Sequence, residues 1–174
     1  MSPRDVLGHE LDVEETGTTF HANAELKARA VREATGLWSL ADDSGLEVDA
    51  LQGQPGVRSA RFAGDSATDE ANNALLLQRL EGVDPAQRGA TFRCVMALCS
   101  PTGELHTVEG SLRGTILQAP RGSAGFGYDP LFSVAELGGR SLAELSPEEK
   151  DSISHRGRAL RQMSALLAKL LGSS

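Results

Sequence analysis

Two short acidic segments could do chemistry together. Asp42-Asp43-Ser44-Gly45 and Glu14-Glu15-Thr16-Gly17 each carry paired carboxylates next to small, turn-forming residues. Carboxylates from two separate segments, with positions left for water, suit Mg²⁺, which rarely takes a full protein cage. Each segment also has a plainer reading. The first is ordinary turn chemistry, and the second is an acidic helix start that complements the macrodipole. Because side chains alternate along a strand, one aspartate of the pair faces such a site directly. Asp43 is the expected one, with Asp42 supporting it from behind or reaching round a bend. Asn23 and Lys27 lie four apart on one helix face, where the plainer reading of Lys27 is surface solvation.

A second group lies late in the chain. Gly125-Phe126-Gly127-Tyr128-Asp129-Pro130 sets two of the few aromatic residues among glycines. Such a ring is either a core plug or a stacking platform for a nucleobase, and glycines let backbone approach a ligand. Lys150 and Ser154-His155-Arg156 flank the start of the last helix. They read as capping plus solvated charge, or as a prepared anion site.

The elements that must position these residues follow from periodicity and caps. A helix is expected over 19–35, where Phe20, Ala24, Ala28 and Val31 recur at helical spacing between Thr19 and Gly36. Residues 37–41 read as a short buried strand ending in the turn 42–45, with 46–50 extended beyond it. Thr68-Asp69-Glu70 opens a second helix with Ala71, Leu75 and Leu76 inward. Residues 90–99 and 104–118 read as strands joined at Pro101-Thr102-Gly103, and 131–134 as a short strand after the Gly-rich loop. Ser146-Pro147-Glu148-Glu149 is a capping-box start. The last helix, 155–171, carries Leu160, Met163, Leu167 and Leu170 on one stripe. No repeat or linker divides the chain. The expectation is one α/β domain over 1–174, a mixed central sheet flanked by helices.

Composition excludes several roles. Seventeen Lys and Arg against 24 Asp and Glu give a net charge of −7, which argues against a nucleic-acid polymer as partner. No apolar run approaches the ~20 residues of a membrane span. The acidic start MSPRDVLGHELDVEE has no signal-peptide h-region. Cys94 and Cys99 fit neither a CxxC nor a zinc pattern, and their odd separation places them on opposite faces of a strand. A reducing cytoplasm is the simplest setting.

Six stretches, taken together and in order, closely resemble the inosine/xanthosine triphosphate pyrophosphatase family. They are EETGTTFHANAELKARA, ADDSGLEVDALQGQPGVRSARFAG, TDEANNALLL, RGATFRCVMAL, GFGYDPLF and LAELSPEEKDSISHRGRAL. A DDSG alone would carry nothing, but six ordered stretches spanning nearly the whole chain are specific. The resemblance implies a groove between two lobes, Mg²⁺ dependence and a homodimer. It also implies hydrolysis of ITP, dITP and XTP to the monophosphate and pyrophosphate. By position, it assigns Glu15 and Asp43 to the metal, with Asp43 also the general base. Lys27 and Lys150 would meet the phosphates and Ser44 would contact substrate. Phe126 would stack on the base, Gly127, Tyr128 and Asp129 would line its pocket, and His155 and Arg156 would read the purine edge. Arginine has only donors, so it can pair with a 6-keto oxygen but not with adenine's 6-amino group.

The family's opening strand and [ST]-x-N-x-x-K phosphate loop have no match in residues 1–14. The expectation is therefore a polypeptide lacking that strand and loop, a poor catalyst as given whose longer version is active. Two rivals remain. One is a nucleotide-binding or dimer-forming module that keeps the base pocket without turnover; the other is a related pyrophosphatase for other modified bases.

Overall fold

The computed structural model describes residues 2–9 and 11–172. Its centre is a sheet of four strands, β1 (Ser39–Val48), β2 (Gly89–Cys99), β3 (Leu105–Ile116) and β4 (Phe132–Ser133), in that spatial order. Helices α1 (Pro3–Leu7), α2 (Phe20–Thr35), α3 (Asp69–Arg79), α4 (Pro147–Ile153) and α5 (His155–Gly172) surround it. This is the α/β architecture the patterning predicts, with one difference. Every described pairing is antiparallel, whereas a mixed sheet was expected. The tight turn in which the Ser100 N–H donates to the Glu104 carbonyl at 2.8 Å folds β3 straight back on β2. Such a hairpin is antiparallel by construction.

β1 corrects a second expectation. Asp42-Asp43-Ser44-Gly45 is not a turn but the middle of one ten-residue strand, with Asp42, Asp43 and Ser44 opposite Met96, Val95 and Cys94. A long-range ladder here overrides local turn chemistry. Gly45 permits a close approach: a Cβ there would lie 2.5 Å from the Gly56 carbonyl oxygen and 2.6 Å from Ser59 Oγ. The turn that carries Gly56 and Ser59 covers the outer edge of β1, and Ser59 Oγ accepts the Leu46 N–H at 2.8 Å.

The pleat sorts the core into two sides. On one, Phe20, Ala24 and Ala28 of α2 pack on Val95, Ala97 and Cys99. On the other, Ala159 and Met163 of α5 pack on Cys94, Met96 and Leu98. The two cysteines are free thiols on opposite faces, as their spacing requires. The largest cluster, around Leu46, Leu76, Phe92, Leu112 and Phe132, continues the α5 side. Each such side chain contributes about 1.5–3 kcal/mol through burial.

Caps end the helices where the sequence places them. Thr19 Oγ1 accepts the Ala22 N–H and Gly36 closes α2 in the left-handed region. The Ser146–Glu149 capping box opens α4, and extended Ser154 separates it from α5. Leu160, expected on the buried stripe of α5, is instead exposed. Among the described residues no helix is long and apolar enough to cross a membrane.

Candidate active site

The α2 side of β1 gathers the first group. Asn23 and Lys27 project from successive turns of α2 toward the strand. Lys27 Nζ donates to Glu15 Oε1 at 2.7 Å and to Asp43 Oδ1 at 3.0 Å. Asn23 Nδ2 donates to Asp43 Oδ2 at 3.2 Å, while its Oδ1 accepts the Gly17 N–H at 2.8 Å. That second bond ties the segment carrying Glu15 to the helix. Arg61 Nη2 lies 3.5 Å from Glu15 Oε2. Two carboxylates thus meet at one cation, although they are far apart in sequence.

Electrostatics at this cluster are balanced. Burial pushes the Asp43 carboxyl above its ordinary range, opposed by the Lys27 ammonium and the Asn23 amide. For Lys27, burial works against the charge, but the hydrogen bonds to Glu15 and Asp43 outweigh it and hold the ammonium above its ordinary value. No group of three or more His, Cys, Asp or Glu converges among the described residues. The donor set is a carboxylate pair already gathered round a positive charge, which fits a hard cation that keeps several waters.

The α5 side of the same strand gathers the second group. Asp42 Oδ2 accepts from Arg156 Nη2 at 3.0 Å and from Ser44 Oγ at 3.1 Å. Beside it, the 125–130 loop is fixed by buried Asp129, which accepts the Phe126 N–H at 2.9 Å and pairs with the Lys150 ammonium. Gly125 is at φ +79°, and a Cβ there would meet the Asp129 carboxylate. From α3, Asp69 accepts the Gly127 N–H at 2.6 Å and Asn73 donates to the Gly127 carbonyl at 2.9 Å. Tyr128 is buried, donates to the Ser59 carbonyl at 2.8 Å, and has its phenol pushed up by burial. Held at both ends, the loop leaves Phe126 60 % exposed. Lys150 Nζ stands 4.3 Å and Arg156 Cζ 5.7 Å from the ring centroid. A cavity of about 230 Å³ opens here, lined by Ser44, Phe126, Asp129, His155 and Arg156 among others.

His155 forms the floor. Its ring stacks on Phe92 with centroids 4.8 Å apart and planes 8° from parallel, and its Nδ1 is buried without a hydrogen-bond partner. Burial, then the charges of Arg156 and Lys150, push it from its ordinary 6.5 down to about 4. Asp42 is the one facing acid that opposes them. Between those pH values the unfolded chain binds the proton and the folded chain does not, so stability rises with pH across that window. About 3 kcal/mol of stability should be lost as pH falls from 6.5 to 4. Urea unfolding over this range should show the loss, and His155→Gln should lack that component; equal slopes for both proteins would refute the assignment.

Glu15, Lys27 and Asp43 therefore meet on one face of the sheet. Ser44, Phe126, Asp129, Lys150, His155 and Arg156 meet on the other. Gly127 and Tyr128 hold the aromatic loop in place. Lys150, which the resemblance sends to the phosphates, is paired with Asp129 at the aromatic end. Asn23, Arg61, Asp69 and Asn73 join the site without having been placed there by the sequence reading. Only Asn23 left a signal, its helical spacing to Lys27.

The chain is also similar to known proteins. A model of the Ham1 family matches residues 2–166. A dITP/XTP pyrophosphatase of Geobacter sulfurreducens is 57 % identical over 161 residues, 92 % of this chain and 78 % of the relative. The solved structure of the Staphylococcus aureus Ham1 protein superposes with a TM-score of 0.89 at 43 % identity, covering 95 % of this chain and 84 % of that one. A HAM1 protein from Coxiella burnetii gives a TM-score of 0.86 at 42 % identity, with 96 % and 91 % covered.

Proposed function

The chain belongs to the Ham1 family, and from that premise we propose how it works as a nucleoside triphosphate pyrophosphatase. It hydrolyses non-canonical purine nucleoside triphosphates such as dITP and XTP to the monophosphate and pyrophosphate. The observation that carries the assignment of residues is the meeting of Glu15, Asp43 and Lys27 within 3.0 Å of one nitrogen. The Phe126 cavity lies on the opposite face of the same strand.

In this reading the base slides against exposed Phe126, and the triphosphate reaches past β1 to the acidic cluster. Glu15 and Asp43 would hold a divalent metal, which we take to be Mg²⁺ because two carboxylates leave room for its waters. When bound, such an ion supplies charge neutralisation and a template for the departing pyrophosphate. Asp43 accepts the proton of the water that attacks the α-phosphorus. With that site occupied, the Lys27 ammonium would serve the phosphate oxygens as a mobile point charge. Lys150 reaches the nucleotide from the aromatic end, over the Phe126 ring. Arg156 donates to the 6-keto oxygen, which adenine lacks.

The reading includes a second copy of the chain as partner and the cytoplasm as setting. Exposed Leu37, Trp38 and Leu40 supply apolar surface for such an association, and the free thiols suit a reducing compartment. The test is pyrophosphate release from ITP, XTP, ATP and GTP with Mg²⁺. Release from ITP and XTP well above ATP and GTP is expected; equal rates on all four would remove the specificity claim.

A further inference from the structure

Adjacent residues on β1 serve opposite faces of the sheet. Asp43 turns to Lys27 and Asn23, and Asp42 to Arg156 and Ser44. We propose that Asp42 is a positioning residue for base recognition: its carboxylate holds the Arg156 guanidinium at the rim of the Phe126 cavity, and that hold sets the preference for a 6-keto over a 6-amino purine. The proposal rests on the function given above and concerns a residue to which that reading assigns no role.

Three observations support it. First, Arg156 comes from the first turn of α5 and its side chain is 46 % exposed. A long side chain with that freedom samples many rotamers unless a partner selects one. The partner is Asp42, reached from 114 residues away at 3.0 Å through Nη2.

Second, Asp42 is itself held. Ser44 Oγ donates to the same Oδ2, and Cys94 Sγ lies 3.9 Å from it. The acid therefore works as a fixed post on a paired strand. Third, two cations approach the Phe126 ring, and each has its own carboxylate. Lys150 is paired with Asp129 and Arg156 with Asp42. Without Asp42, Arg156 would face the Lys150 ammonium uncompensated and would swing into solvent. An exposed ion pair contributes little to stability, so the fold alone does not account for this contact.

The test uses affinity and turnover together. Binding of ITP and of ATP is measured by calorimetry in EDTA, which prevents hydrolysis, for the wild type, Asp42→Ala, Asp42→Asn, Arg156→Ala and the double variant Asp42→Ala/Arg156→Ala. The wild type should prefer ITP, and Asp42→Ala should lower that preference about tenfold, the scale of one charge-assisted hydrogen bond. Asp42→Asn keeps an acceptor oxygen and should fall between the two. Once Arg156 is absent, removing Asp42 should change the preference less than about twofold, as coupled residues require. An unchanged preference in Asp42→Ala overturns the proposal. So does an equal loss with and without Arg156, or a wild type that binds ITP and ATP alike. Pyrophosphate release from ITP is followed in parallel. Its absence from the wild type would refute the enzymatic reading while leaving the affinity ratios to decide the role of Asp42.

Discussion

Asp43→Asn is expected to lower kcat for pyrophosphate release by at least about 10³-fold, the combined scale of losing a general base and weakening a metal site. The amide has nearly the shape of the carboxylate but can neither take a proton from water nor balance a divalent charge. The fold should survive the change. Burial already penalises the charge on Asp43, and Lys27 would keep its bond to Glu15. Thermal unfolding within a few degrees of the wild type, alongside lost turnover, is the predicted pair of results. Near-normal turnover would refute the assignment.

The second large effect is structural and lies outside the chemistry. Gly110 of β3 faces the start of α5, where a Cβ would lie 2.1 Å from the His155 carbonyl oxygen and 2.5 Å from the Ala159 nitrogen. Both are backbone atoms, so no side chain can swing away. Gly110→Ala must push the helix off the sheet, at a cost of about 3 kcal/mol or more. The same helix start carries His155 and Arg156, so base selectivity should fall with stability. Urea unfolding measures the first and the ratio of ITP to ATP turnover the second. A variant as stable as the wild type would show that the helix does not seat on the strand this closely.

Much of this arrangement is legible in the amino acids. Caps at Thr19, Thr68 and Ser146 and stops such as Gly36 mark helix ends because their signals are local. The β2–β3 hairpin is equally local. Asp42-Asp43-Ser44-Gly45 misleads for the opposite reason: its residues favour turns in isolation, and only the partner strand fifty residues on makes them extended. Lys150 has no local signal for its partner, since Asp129 lies across the fold and is buried. The roles of Asp69 and Asn73 likewise depend on how α3 meets a loop more than fifty residues later. Side-chain alternation did foretell that the two neighbouring aspartates would part company. It could not say what each would meet.

That parting has a consequence for how the protein can change over generations. A one-residue slip of β1 against β2 would exchange which acid looks toward which helix, turning Asp43 to the arginine and Asp42 to the lysine. The turn at 100–103 can drift in length without such a swap, because it lies beyond both acids. Spacing along this one ribbon therefore encodes the enzyme as firmly as the identity of any single group on it.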